Sequence, residues 1–338
     1  MRIAFGDKIE SVIAAYLDRA PTNALAVGIV LPSGRIGYYT SGRIDEHSHF
    51  DIGSITKTFT AQLILKLASE GQLSLDDTVD CYLPLRAGQY PTVTQLLTHT
   101  AGYRHSTPAE IVVPRFVSRP YLTHNLYRGV RREDVLRALS VRNHCKPSYA
   151  YGYSDFPYAV LSLIAERVTG KSFADLMNSF LREDYALQST RVCPTCERTA
   201  CYARKVKLRP WAWEPENPYL AGGGIVSTLA DLTAYAKKQL ESEKSYVLKA
   251  QEHYAPSCPN PRGVETCFGW LSYRNSERLW HIGGVGSYRA AIVFNRELGC
   301  AAVVLGNSKG EKKANVHYLA NLLYGEMKRH RIRVDDSL

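Results

Sequence analysis

Apolar residues near the start of the chain change their period, and the change predicts a helix followed by a hairpin. Residues 25–31 and 35–40 are β-rich runs, and Pro32-Ser33-Gly34 between them is typical of a turn. These two runs are therefore expected to form an antiparallel hairpin. An amphipathic helix is predicted before them because apolar side chains recur at a helical spacing. They are Ile9, Val12, Ile13, Tyr16 and Leu17.

A second helix is predicted from about Ser54 to Glu70, ending before Gly71 as a C-terminal glycine. It is apolar nearly all round, which indicates burial between layers. From about residue 75 to 222 the pattern is mostly helical or irregular. Helical segments there are 93–99, 133–139, 158–169 and 173–181. Strand patterns return at 269–273, 289–294 and 300–305, before a closing helix with Val316, Leu319, Ala320, Leu323 and Met327.

Strands at both ends with helices between them predict an α/β fold, an α+β sandwich. One discontinuous α/β lobe would comprise residues 1–75 and 225–338. Residues 76–224 would form an inserted, mostly helical lobe. Internal repeats and low-complexity tracts are not apparent.

Composition narrows the function classes. With 338 residues and 45% hydrophobic positions, the chain can bury one large core or two modest ones. The net charge of +10 comes without a nucleic-acid motif, so a solvated basic face is expected rather than a nucleic-acid partner. No apolar run reaches the roughly 18 to 20 residues of a membrane span. Asp7, Lys8 and Glu10 interrupt any secretory signal, which favours the cytoplasm, or export after removal of a leader.

The eight cysteines leave three interpretations open. Cys193, Cys196 and Cys201 have metal-like spacing, and Cys258 or Cys267 could complete a thiolate zinc site. A disulfide is the second interpretation, and free thiols in a variable loop are the favoured one. We therefore expect no metal and no cofactor. The remaining cysteines lie in apolar contexts and are expected to be small core residues: Cys81, Cys145 and Cys300.

Ser54-Ile55-Thr56-Lys57 carries the clearest chemical signal. A buried strand end and a turn precede Ser54, so its hydroxyl would lie at a helix N-terminus, among backbone N–H groups that can stabilise an oxyanion. The spacing of three puts Lys57 on the same helix face. A serine hydroxyl needs an adjacent base, and a desolvated lysine with a lowered pKa can serve. The pair predicts nucleophilic catalysis.

Two further motifs lie downstream, Tyr153-Ser154-Asp155 and His281-Ile282-Gly283-Gly284. With them the chain resembles the penicillin-recognising serine hydrolases: class C β-lactamases, S12-type DD-carboxypeptidases, D-aminopeptidases and β-lactamase-like esterases. The resemblance covers nearly the whole chain and implies an antiparallel sheet flanked by the terminal helices, with the site in a cleft. Its clearest stretches are 50–84, 96–102, 151–173, 221–232 and 281–307.

The resemblance implies roles for the motif residues. The Tyr153 phenol would relay a proton between nucleophile and leaving group. Asp155 replaces the usual Asn and could pair with Lys57, and His281 replaces the usual Lys. Gly283 and Gly284 would let substrate lie along a strand edge, and the N–H groups of Gly284 and Ser54 would form the oxyanion hole.

The sequence thus predicts a metal-independent serine hydrolase that forms an acyl-enzyme with small esters, D-amino-acid amides or D-peptides. The alternatives are a DD-carboxypeptidase or weak class C-like β-lactamase, and a non-catalytic acyl-binding or sensor protein. Asp155 and His281 favour neutral or cationic acyl donors over free carboxylates. Oligomeric state and natural substrate have no sequence signal. Structural roles are expected for His99, residues 222–224 and Arg289.

Overall fold

The fold is seen in a computed structural model. It describes residues 7–19, 24–103, 107–111, 125–146, 149–192, 198–203, 206–208, 210–254, 263–309 and 315–335. Within these ranges no helix is long and apolar enough to cross a lipid bilayer.

Strands from both ends of the chain form one large antiparallel sheet, and six short strands among the described residues form two smaller sheets. The strands are β1 (Leu25–Val30), β2 (Ile36–Ser41), β3 (Phe50–Asp51), β4 (Arg191–Val192), β5 (Cys201–Ala203), β6 (Val206–Leu208), β7 (Ile225–Ser227), β8 (Val264–Thr266), β9 (Leu271–Tyr273), β10 (Leu279–Val285), β11 (Tyr288–Asn295), β12 (Cys300–Gly306) and β13 (Ser308–Lys309). The seven-stranded sheet has the order β2-β1-β12-β11-β10-β9-β8, and β3-β7-β4 form a small separate sheet. Strand β1 thus pairs with β12, which joins the two ends of the chain.

Helices cover both faces of this sheet. They are α1 (Asp7–Arg19), α2 (Thr56–Ser69), α3 (Val93–Leu97), α4 (Arg132–Val141), α5 (Phe156–Thr169), α6 (Phe173–Glu183), α7 (Leu220–Gly223), α8 (Leu229–Glu241), α9 (Ser245–Gln251) and α10 (Val316–Asp335). The terminal helices α1 and α10 pack on one face, where Ile13 and Leu323 meet alternate residues of β1, β11 and β12. The other face joins α2 and α5 in the larger core.

The predicted fold class is confirmed, since the antiparallel sheet lies between the terminal helices and the central helices as expected. Helix α2 begins at Thr56 rather than Ser54, because Gly53–Ile55 form a 3-10 turn before it. Gly71 has φ +73°, as a C-terminal glycine requires. Helix α5 begins two residues before the predicted 158 and ends at Thr169 as predicted.

Periodicity did not predict strand β10, although the family resemblance implied a strand edge at Gly283 and Gly284. Its sequence, LWHIGGV, contains adjacent glycines that interrupt the apolar alternation on which strand prediction depends. The shorter strands β4, β7 and β8 were also missed, since two or three residues carry too little periodicity.

The cysteine predictions had mixed outcomes. Cys300 is buried as expected, whereas Cys81 is exposed and Cys145 only partly buried. Both lie in loops or short turns, so their apolar neighbours in sequence do not surround them in space. Cys81, Cys145, Cys267 and Cys300 are not part of a disulfide bond. Cys193, Cys196 and Cys258 lie outside the described residues, as does the side chain of Cys201.

Candidate active site

Ser54 lies in the turn between β3 and α2, and strand β10 packs directly against that turn. Gly53 has φ +52°, and a Cβ added to it would lie 2.4 Å from the Gly284 nitrogen. A Cβ added at Gly283 would lie 1.8 Å from the Ile52 carbonyl oxygen and 3.1 Å from the Ser54 nitrogen. Only glycine permits this approach of the two backbones. The backbone around Ser54 therefore lies against the backbone of Gly283 and Gly284.

Lys57 is fully buried and its ammonium group faces Ser54. The Nζ atom lies 3.1 Å from Ser54 Oγ, 2.5 Å from Asp155 Oδ1 and 2.7 Å from the Gly222 carbonyl oxygen. An ammonium group has three N–H donors, so these three acceptors use all of them. The side chain thus points into an internal polar site rather than reaching solvent.

Burial lowers the pKa of Lys57 below its ordinary value, because a charged amine is disfavoured away from water. The negative charge of Asp155 and its hydrogen bond act in the opposite direction. Desolvation is the larger effect, so the pKa remains lowered. A lysine in this state can lose its proton and act as a base.

Asp155 precedes α5 and is held from both sides. One carboxylate oxygen accepts from Lys57, and the other accepts from the Tyr127 hydroxyl at 2.5 Å. The Tyr127 ring stacks on Tyr219, with centroids 4.4 Å apart, and on Trp213. Burial and the Asp155 charge raise the pKa of the Tyr127 phenol, so it stays a donor. Sequence analysis did not identify Tyr127, which belongs to no motif.

Tyr153 also lies close to Lys57. The centroid of its ring is 5.2 Å from Nζ. Burial, helped by the Asp155 charge, raises the pKa of the phenol well above its ordinary value, and a hydrogen bond with the Ser54 side chain opposes this. The phenol is therefore protonated at neutral pH, within hydrogen-bonding reach of Ser54. His99 packs on the same ring and accepts a hydrogen bond from the Ser154 N–H at Nδ1, which supports its expected structural role.

His281 lies on β10 and is 1% exposed. Its Nδ1 atom is 2.8 Å from the Ile282 carbonyl oxygen, which can only accept, so Nδ1 carries the proton. The Nε2 atom is buried and has no partner among the described residues. Burial and the nearby Lys57 lower the pKa of His281 to about 3. The imidazole is therefore neutral at physiological pH, with a lone pair on Nε2.

A cavity of about 660 Å³ opens over Ser54. Five of the seven predicted site residues line it, while Lys57 and Asp155 lie directly behind it. The lining also contains Arg289, for which the sequence predicted a structural role. The residues that line the cavity are Ser54, Tyr151, Tyr153, Val264, Leu271, Trp280, His281, Ile282, Gly283, Gly284 and Arg289. Across the described parts of the chain, no group of His, Cys, Asp and Glu side chains could hold a metal ion.

The sequence model of the beta-lactamase family matches residues 9–326. The chain belongs to the beta-lactamase family. The resemblance drawn from the three motifs is thereby confirmed. Members of this family and structural neighbours include serine hydrolases such as β-lactamases and D-alanine carboxypeptidases.

Two curated relatives illustrate the sequence similarity. Protein flp of Staphylococcus aureus (strain MW2) is 26% identical over 282 residues, covering 78% of this chain and 53% of that protein. Penicillin-binding protein 4* of Bacillus subtilis (strain 168) is 23% identical over 309 residues, covering 83% of this chain and 66% of the relative. The chain thus spans about half the length of the staphylococcal proteins it matches.

Solved structures share the fold. The octameric penicillin-binding protein homologue from Pyrococcus abyssi is 25% identical to this chain, with a TM-score of 0.77. The match covers 94% of this chain and 76% of the Pyrococcus abyssi chain. A class C beta lactamase from Rhodobacter sphaeroides has a TM-score of 0.77 at 19% identity, covering 97% of this chain and 100% of its own. This second likeness concerns the fold alone.

Proposed function

We propose that this member of the beta-lactamase family is a serine hydrolase that works through an acyl-enzyme, with Ser54 as nucleophile. The observation that carries the proposal is the 3.1 Å contact between Ser54 Oγ and the buried Nζ of Lys57 at the wall of a cavity of about 660 Å³. A nucleophile within hydrogen-bonding distance of a base whose pKa is lowered is the arrangement that activates a hydroxyl group.

In the proposed acylation, Ser54 Oγ bonds to the substrate carbonyl carbon while its proton passes to the neutral amine of Lys57. The N–H groups of Ser54 and Gly284 stabilise the oxyanion. As the tetrahedral intermediate collapses, the bond to the leaving group breaks and the Tyr153 phenol protonates that group. Lys57 then returns the proton to Tyr153. In deacylation, water bonds to the acyl carbon while its proton passes to the neutral amine of Lys57. The bond between that carbon and Ser54 Oγ then breaks, and Oγ takes the proton back from Lys57 as the acid product leaves.

Small esters and D-amino-acid amides or peptides are the proposed substrates. A neutral His281 replaces the cationic lysine of the penicillin-cleaving motif, so this end of the cavity offers no charge to a substrate carboxylate. The second candidate is a DD-carboxypeptidase or weak β-lactamase, which the name of the Bacillus subtilis relative favours. A non-catalytic acyl-binding protein is disfavoured because Ser54, Lys57 and Tyr153 are in mutual contact.

Covalent labelling tests the proposal. The protein is treated with a fluorophosphonate probe, a fluorescent penicillin and a chromogenic short-chain ester, and adducts are followed by intact-mass spectrometry. Ser54→Ala should abolish the adduct and the turnover with little loss of stability. Ser69→Ala, which changes an exposed serine at the end of the following helix α2, is the matched control and should label fully. A full-strength adduct on the Ser54→Ala protein would show that another group is the nucleophile.

A further inference from the structure

Arg289 places a guanidinium group in the wall of the cavity. It lies on β11 directly opposite Gly284 of β10, and cross-strand partners have side chains on the same face of a sheet. A Cβ added at Gly284 would lie 3.2 Å from Arg289 Nη1 and 3.6 Å from Cζ. The guanidinium therefore rests against the backbone of the glycine whose N–H is proposed to hold the oxyanion.

This cation has no anionic partner among the described residues. Its hydrogen bonds there both use Nη1, to the Gly286 carbonyl oxygen at 3.1 Å and the Tyr288 carbonyl oxygen at 2.6 Å. Burial alone lowers the pKa of Arg289, with no acidic group acting on it, and a guanidinium still remains charged at neutral pH. Arg198 provides a contrast, since its buried guanidinium lies 3.0 Å from Asp51.

A partly buried charge without a counter-ion is unfavourable unless a ligand supplies one. The other described side chains that line the cavity are uncharged at neutral pH: Ser54, Tyr151, Tyr153, Val264, Leu271, Trp280, His281 and Ile282. Arg289 thus gives this part of the wall a positive charge, and its remaining donors, Nε and Nη2, can bind an anionic group of a ligand.

The position of Arg289 indicates which part of the substrate lies beside its guanidinium. This step rests on the proposed function, in which Ser54 is the nucleophile. The leaving group must lie near the Tyr153 phenol, whose ring is 6.1 Å from that of His281. Arg289 is opposite Gly284, three residues along β10 and so roughly 10 Å farther on. The guanidinium therefore lies at the oxyanion end of the cavity, away from the leaving group at His281 and Tyr153, which leaves the acyl chain beside Arg289.

We propose that Arg289 binds a carboxylate on the acyl part of the substrate, so that the protein prefers half-esters or half-amides of short dicarboxylic acids. A bidentate guanidinium–carboxylate contact would orient the carbonyl towards Ser54. The expectation that carboxylates are disfavoured rested on Asp155, which lies behind Lys57, and on His281, which lies at the leaving-group end. It applies to an acid there and not to one beside Arg289.

The test compares two esters of equal length, 4-nitrophenyl hydrogen glutarate and its neutral counterpart, methyl 4-nitrophenyl glutarate. Wild-type protein should show a higher kcat/KM for the acid. Arg289→Gln should lower the ratio of kcat/KM for the acid to kcat/KM for the neutral ester by roughly 10- to 100-fold. A change of this size corresponds to the free-energy contribution of one hydrogen bond to a charged group. Arg289→Lys should retain part of the preference. Arg137→Gln, which removes an exposed arginine outside the cavity, should leave the ratio unchanged.

A structural role gives a different result, since Arg289→Gln would then lower kcat/KM for both esters equally together with the melting temperature. That outcome, or a wild-type preference for the neutral ester, would overturn the proposal. If neither ester is hydrolysed, the proposed function fails on these substrates, and binding of methyl hydrogen glutarate to Ser54→Ala protein decides about Arg289. Calorimetric binding that Arg289→Gln weakens about tenfold or more supports the anion site, and unchanged or undetectable binding overturns it.

Discussion

Replacing Asp155 with asparagine should move the acid limb of the pH–rate profile to lower pH. The carboxylate oxygen lies 2.5 Å from Lys57 Nζ, and its charge raises the pKa of the lysine against the larger effect of burial. The asparagine side chain keeps the shape and one carbonyl acceptor but removes the charge. Lys57 would then lose its proton more easily, so its basic form would persist to lower pH.

The size of the shift follows from this separation. Two unit charges in contact attract by several kcal/mol at an effective dielectric constant of about 20. Measured effects of an opposite charge are roughly 1 to 3 pKa units, or about 1.4 to 4 kcal/mol. Because Lys57 is fully buried and solvent screens it little, we expect a shift of at least about one unit. The Tyr127 hydroxyl can turn to accept from the new amide, which keeps this side chain in place.

The assay is kcat/KM for a neutral ester from about pH 5 to about pH 10, measured for wild type and Asp155→Asn. His281, with a pKa of about 3, is neutral throughout this range and contributes no limb. Asp80→Asn, a change at an exposed carboxylate, is the control and should leave the profile unchanged. An acid limb in Asp155→Asn that stays in place or moves to higher pH would refute the assignment of Lys57 as the base.

Three further outcomes are expected. Lys57→Ala and Tyr153→Phe should each lower kcat by roughly two to four orders of magnitude, the range for loss of an acid–base group, and near-normal turnover would place the proton path elsewhere. Gly283→Ala should abolish labelling of Ser54, because its Cβ would overlap the Ile52 carbonyl oxygen, whereas Gly325→Ala in α10 meets open space and should label normally. Arg198→Met should destabilise the protein by about 3 to 5 kcal/mol in urea titrations, because Asp51 would lose its buried ion-pair partner; a change below about 1 kcal/mol would contradict this.

Elements with strong periodicity and a clear stop signal were predictable from the sequence. The hairpin of β1 and β2, the helix α2 before Gly71 and the helix α5 before Gly170 are examples. Strand β10 was not, because its glycines are selected for backbone contact with the turn at Ser54 and not for strand propensity. Residues 279–285 form a strand because they pair with neighbouring strands of the sheet, and that pairing cannot be read from their own sequence. The division into lobes at residues 75 and 225 stays a prediction.

The motif residues could be identified because their spacing and neighbours are local. The structure brings Ser54, Lys57, Tyr153 and Asp155 together although about a hundred residues separate the two motifs. Their roles stay proposals. Tyr127 could not be found in this way, because its contact with Asp155 depends on how a loop packs against Tyr219 and Trp213.

Arg289 did have a sequence signal. Gly286-Ser287 forms a two-residue connection between β10 and β11, in which Val285 pairs with Tyr288 and Gly284 with Arg289. A glycine-containing pair of residues between two β-rich runs is typical of a hairpin. Reading that hairpin from the Gly283-Gly284 motif would have placed the arginine opposite the proposed oxyanion donor.

The contacts of Lys57 also determine the direction in which it can act as a base. A neutral amine has two N–H donors and one lone pair. The carboxylate of Asp155 and the carbonyl oxygen of Gly222 can only accept, so each requires one of the two hydrogens. The lone pair is then left pointing towards Ser54 Oγ, which can donate its own proton. Asp155 therefore has two opposed effects, since its charge weakens Lys57 as a base while its oxygen directs the lone pair of Lys57 at the nucleophile.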